Sequence, residues 1–196
     1  MWLIDQLKSV DVSDVAKTGN FSLRKGVIME RKIINKRIDL SDLIGTCGKY
    51  GSLQCDGDGL IAIYNILQLL DFEDVTLKEI NDVCIKRRAH WFLGTGWFKI
   101  HKIKRVLKDF NVKVKFKGIF NSFKQLTSSH KFILVYLNTS EYIQFKDRLK
   151  FQAAHLVKDG VGKVWIETYN PYHHYDSPRA FKQLENAFMP LLFTID

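Results

Sequence analysis

The sequence predicts an α+β fold, and three observations carry that expectation. A segment apolar on nearly every side runs from Gly59 to Leu70, and amphipathic helical spacing follows it as far as Phe110. From Val112 onward, apolar residues either alternate with polar ones or run in strand-length blocks. Helices first and an antiparallel sheet afterwards is the order of a segregated α+β chain. At 196 residues the chain can bury a core of its own. It reads as a single domain over 1–196, with an N-terminal extension at 1–45, a mainly helical part at 46–128 and a mainly sheet part at 129–196.

In chain order, Phe21 to Ile34 alternates loosely and holds β-branched residues, which suggests one or two short strands. Asp39 to Ile44 suits a helical turn. The central helix comes next, with only Asn65 and Gln68 plainly polar between Leu60 and Leu70. Such a helix belongs in the interior. Thr76-Leu-Lys-Glu79 has capping-box spacing and opens a helix over 77–88, with Leu77, Ile80, Val83 and Cys84 on one face and Lys86, Arg87 and Arg88 in the last turn. Cys84 reads there as a small core residue. Two tryptophans and two phenylalanines then flank Gly94-Thr95-Gly96, a loop that is either one wall of a cleft or an aromatic mini-core. Trp97 to Phe110 has helical spacing again, with a solvated basic face.

The period then changes to two. Val112 to Lys117 alternates strictly with lysine, the pattern of a half-exposed strand whose charges discourage edge pairing. Ser122 to Ser128 suits a short helix, Phe132 to Leu137 a central strand, and 139–150 a loop. Phe151 to Val157 and Lys163 to Tyr169 form a hairpin around Asp159-Gly-Val-Gly162. Ser177-Pro178 starts a helix to about Phe188, which Pro190 stops, and Leu191 to Ile195 is the last strand.

Composition narrows the functional classes. Hydrophobic content of 46% and charged content of 26% fit a globular protein. No apolar run approaches the roughly 20 residues of a membrane-spanning helix, and the opening residues lack the apolar stretch of a secretory signal. The expected location is the cytoplasm. Three cysteines at irregular spacing (Cys47, Cys55, Cys84) support neither a disulfide scaffold nor a zinc site, so no metal or cofactor is expected. The net charge of +9 is spread along the chain. Nucleic-acid binding through the basic helix faces and Lys113, Lys115 and Lys117 stays open as a lesser reading. Asp56-Gly-Asp58-Gly fails as a calcium loop because its twelfth position is Leu67. His173-His174 without further ligands reads as a polar loop.

Three pieces bear on chemistry. The buried helix opens at Asp58-Gly59-Leu-Ile-Ala-Ile-Tyr-Asn65, His155 lies on a later strand in Ala-Ala-His-Leu-Val, and Asn170 ends the next strand in Tyr-Asn-Pro171. This order resembles the papain-like cysteine peptidases, nearest to the compact branch that includes the peptidase domains of bacteriocin exporters and bacterial relatives. The resemblance covers about 50–171. It implies a papain-like fold in which the residue opening the helix is the nucleophile, the histidine is its base and the asparagine orients that base. Gln54 would then be the oxyanion donor, a residue or two closer to the helix than the family has it.

One departure changes the expected activity. The nucleophile position falls on Asp58, where the family needs a thiolate. A carboxylate attacks an amide poorly but suits the positive end of a helix. The expectation is therefore a domain that has lost its nucleophile and binds a peptide or protein segment in a cleft formed by Asp58, His155, Asn170 and aromatics from 91–97. The enzymatic alternative uses Cys55 as nucleophile with His155 and Asn170.

Overall fold

The computed structural model describes residues 21–24, 27–30, 33–34, 46–53, 57–91, 98–121, 123–126, 131–138, 149–158, 160–161, 164–169 and 187–195. Among them are three α-helices and a five-stranded antiparallel sheet, an α+β architecture. Two small hairpins come first: β1 (Phe21–Arg24) with β2 (Val27–Glu30), and β3 (Thr46–Cys47) with β4 (Gly51–Ser52). The expected turn over Asp39–Ile44 lies outside the described residues.

Helix α1 (Asp58–Leu69) begins one residue earlier than its apolar run suggests, and every residue from Gly59 to Leu69 is buried. Its two polar residues are satisfied. Ile34 N–H donates to Asn65 Oδ1 at 2.9 Å, and Asn65 Nδ2 donates to Ile34 C=O at 2.8 Å. Gln68 Nε2 donates to Phe72 C=O at 2.9 Å. Buried amides require such partners, since an orphaned one costs about 1–3 kcal/mol. Helix α2 (Leu77–Lys86) starts with the complete capping box read from Thr76 and Glu79. Its Asn81 repeats the Asn65 device: it accepts from Gly48 N–H at 2.7 Å and donates to Gly48 C=O at 3.1 Å, fastening the β3–β4 hairpin to the helix.

The third helical segment is shorter than its spacing predicts. A 3₁₀ turn (Ile100–Lys102) leads into α3 (Ile103–Asp109), and Phe98 instead forms a β-bridge with His90. That bridge, with Lys99 N–H donating to Ala89 C=O at 2.7 Å, closes the neck of the loop between them. All three helices end at a residue with positive φ: Asp71 at 64°, Arg88 at 51° and Asn111 at 59°. In each case the next N–H bonds back to a carbonyl five residues earlier, so one stop geometry is used three times.

The sheet runs β5 (Val114–Ile119), β9 (Ala187–Ile195), β6 (Lys131–Asn138), β7 (Leu149–Lys158), β8 (Val164–Tyr169), with β6 at its centre as its continuous apolar run predicts. Lysine-bearing β5 is an edge strand, and Ser122–Ser128 contains a short 3₁₀ turn, Phe123–Leu126. The end of the chain corrects the sequence reading. Ala187 and Phe188 are strand rather than helix, and Pro190 lies inside β9. Proline is tolerated because the β6–β9 register shifts between Val135 and Leu137, with Met189 at φ 49°; Pro190 C=O accepts from Phe120 N–H at 2.6 Å. The remainder of the expected 177–188 helix lies outside the described residues.

Alternation along the strands separates two apolar layers. Ile133, Val135, Phe151, Ala153, Phe193 and Ile195 join α1 in the larger core. Phe132, Leu134, Ala154, Ile166 and Leu192 pack with Phe120 and Leu126 on the other face. Among the described residues, no helix is long and apolar enough to cross a membrane.

Candidate functional site

The first turn of α1 meets β7 near the start of that strand. Gly57 holds the N-cap position, and the carboxylate of the half-buried Asp58 accepts from Phe151 N–H at 2.9 Å. Gly59 is required by the packing above it. A Cβ there would fall 2.5 Å from Cβ and Cγ of Phe98. Phe98 in turn meets Phe151 edge-on, with ring centroids 5.6 Å apart, so one aromatic side chain closes over the helix start.

His155 lies four residues beyond Phe151 on the same face of β7, about 13 Å further along an extended strand. It is the cross-strand partner of Glu167. Its Nε2 is 3.3 Å from Glu167 Oε2, its Nδ1 is 3.2 Å from the Tyr169 hydroxyl, and the Tyr169 ring stacks on it at 5.5 Å and 9°. Burial pushes the Glu167 carboxyl above the ordinary range, opposed by a hydrogen bond from Tyr169. Imidazole, carboxyl and phenol thus form one partly buried polar network. Tyr169, buried in the larger core, belongs to it through its hydroxyl, and Glu167 is not among the residues singled out from the sequence. The hairpin carried only part of the signal, because counting outward from Asp159–Gly162 puts Ile166 opposite His155, one residue short of the observed partner.

The structure brings the start of α1 to β7 at Phe151, four residues and about 13 Å short of His155, so Asp58 and His155 do not face each other across one cleft. Gln54, Cys55 and Asn170, like His173 and His174, lie outside the described residues. The other two cysteines are buried free thiols. Burial first and the nearby Cys47 second push the Cys84 thiol far up, so it stays protonated. Cys47 Sγ lies 3.6 Å from both Nδ1 and Nε2 of His90, off the lone-pair axis of either nitrogen. Burial, with a smaller contribution from the charge of Lys99, holds His90 down at about 4. A neutral imidazole enclosed with the buried Cys47 is not the cation that activates a cysteine. Among the described residues, no cluster of His, Cys, Asp or Glu could hold a metal ion.

Beyond Phe98, on the side of Phe151 away from His155, the helix-facing layer opens into an apolar groove of about 420 Å³. Phe98, Ile100, Leu137, Leu149 and Leu191 form its walls, with Trp91 and Met189, each 50% exposed, at its mouth. Its volume falls within the range of small-ligand clefts. Of the aromatics expected to line a cleft, Trp91 does so, and 92–97 lie outside the described residues.

Lys99 and His101 stand at the same mouth. Lys99 Nζ sits 4.7 Å above the Trp91 ring and donates to Arg88 C=O at 3.1 Å. Lys102 and Arg105 follow within a turn. Desolvation first, then the charges of Arg105, Lys99, Arg87 and Arg88, depress Lys102; His101 is lowered by desolvation and then by Lys102, Arg105 and Lys99. Arg87 is neutralised by a two-armed pair with Asp109. Among the described residues, no acidic partner faces Lys99, Lys102 or Arg105. These cations, close together in the sequence as well, form a basic patch beside the groove. Comparison with protein-family models and with curated proteins finds no match.

Proposed function

We propose that this protein is a papain-like domain that binds a peptide or protein segment without cleaving it, the segment lying in the groove beside the first turn of α1. The observation that carries the reading is the apolar groove adjoining a helix start that presents a carboxylate, Asp58, engaged with the backbone of β7. In the papain-like alignment Asp58 sits at the nucleophile position, and a carboxylate neither attacks an amide readily nor yields a stable acyl intermediate. The contacts of His155 with Glu167 and Tyr169 further support a structural or binding role for the imidazole over that of a base at Asp58.

The test follows peptides with apolar side chains by fluorescence anisotropy and then by mass spectrometry. Saturable binding of peptides that stay intact supports the reading. Peptide cleavage, or rapid labelling of Cys55 by an electrophilic thiol probe at neutral pH that collapses in His155→Ala, overturns it for the cysteine hydrolase. Absence of peptide binding overturns it as well.

A further inference from the structure

The groove and the cations at its mouth belong to one surface. Its walls are aliphatic and aromatic, while Lys99 and His101 line it directly and Lys102 and Arg105 extend the charge along the first turn of α3. Like charges held this close raise each other's energy, and an anion placed among them relieves that repulsion. Trp91 is already covered by the Lys99 ammonium, so an apolar side chain entering beside Trp91 brings its neighbours within reach of Lys99. An apolar ligand alone would leave the cations unanswered. A bare polyanion would leave the groove empty.

We propose that the groove takes an acidic segment of a partner protein, with an apolar anchor seated between Trp91, Leu137 and Met189 and flanking Asp or Glu side chains paired with Lys99, Lys102 and Arg105. This rests on the peptide-binding reading above and adds the chemistry of the partner. Rim charges of this kind set partner choice and encounter rate more than the total affinity. Neutral peptides with the same anchor therefore bind, but less tightly.

The experiment uses the full chain and a set of synthetic peptides sharing one Leu-Trp-Leu anchor, flanked by aspartate and glutamate, by glutamine, or by lysine. An oligonucleotide of single-stranded DNA serves as a polyanion without an anchor. The acidic peptide is expected to bind about tenfold tighter than the glutamine one and to lose that margin as salt rises. Reversing the charges with Lys99→Glu, Lys102→Glu and Arg105→Glu together should transfer the preference to the lysine-flanked peptide. Arg105→Glu alone, at an exposed position, should shrink the margin in the same direction if the triple variant does not fold. Equal affinity for all three peptides overturns the acidic partner and leaves the peptide-binding reading standing. No binding by any peptide overturns both, and displacement of the acidic peptide by the oligonucleotide at physiological salt overturns the acidic partner in favour of nucleic acid.

Discussion

In the middle of α1, Asn65 has both arms of its amide on Ile34 and Gln68 is bonded to Phe72. At the first turn of the same helix, Asp58 is only half buried, and past Phe98 the apolar layer opens into a groove with Trp91 and Met189 at its mouth. The two regions use similar residues for different ends. Where the layer is sealed around α1, Asn65 and Gln68 have specific partners, and a lost partner is felt as lost stability. Where it is open, water stands in for missing partners, and substitutions register in what the surface can hold.

The largest effect should come from breaking the sealed region. Asn65→Leu keeps volume but strands the buried N–H and C=O of Ile34 together, so urea denaturation should show a loss of about 4 kcal/mol, roughly two unsatisfied groups. Asn65→Asp should be no milder at neutral pH, because its carboxylate is desolvated and faces the Ile34 C=O, and its cost should fall in acid as the protonated carboxyl can again both accept and donate. If Asn65→Leu costs under about 1 kcal/mol, the contrast between the sealed and open regions fails.

Acid should act on the same side of the comparison. His90 is held at about 4, below the ordinary 6.5, so the unfolded chain binds the proton more readily. The stability contribution of the neutral ring is therefore complete above about pH 6.5 and declines as pH falls toward 4, a loss of about 3 kcal/mol over that window. His90→Leu should remove this component, which is measured as the difference in urea midpoint between variant and parent at neutral and acidic pH. Parallel midpoints for the two proteins across the window would show that His90 is not enclosed.

How much of this was legible in the sequence differs between the two regions for a physical reason. The sealed helix, the Thr76–Glu79 box and the central strand are local or periodic features, and residues within a few positions of each other determine them. The groove has no such local signature. It needs Trp91 and Phe98 from a loop neck, Leu137 and Leu149 from adjoining strands, and Met189 from a strand that enters the sheet between β5 and β6. Pro190 pointed to a helix stop because local rules cannot register a bulge created by pairing with a strand some fifty residues earlier. The cations at the groove's mouth were legible, since Lys99, Lys102 and Arg105 lie close together in the sequence; folding adds the apolar cleft beside them and the bond from Lys99 to the Arg88 carbonyl, made once the His90–Phe98 bridge closes the loop. His155 was found through a motif. Its contact with Glu167 follows instead from hairpin register.

A pair of glycines sharpens the contrast on a smaller scale. At Gly59 an added Cβ meets the Phe98 side chain at 2.5 Å, so Gly59→Ala should force Phe98 off the start of α1 and cost about 2 kcal/mol. At Gly160 nothing lies within 4 Å of the same added carbon, and Gly160→Ala should leave the urea midpoint essentially unchanged. Equal effects at the two positions would mean that Phe98 yields freely and does not fix the boundary between core and groove.

The smallest stability effect belongs to the open region, and there it is informative because it is small. Trp91 is half exposed, so Trp91→Ala removes modest buried area and should lower stability by under about 1 kcal/mol. The same change strips one side from the groove mouth and frees Lys99 from the ring beneath it. Peptide affinity should then fall by about tenfold or more, as for a central aromatic contact. Anisotropy with the acidic peptide and urea denaturation, run on the same preparation, separate the two quantities. A large loss of stability would move Trp91 into the sealed layer, whereas unchanged stability with unchanged affinity would place the peptide elsewhere on the molecule. Only an affinity loss on an intact fold is what a groove built for a partner requires.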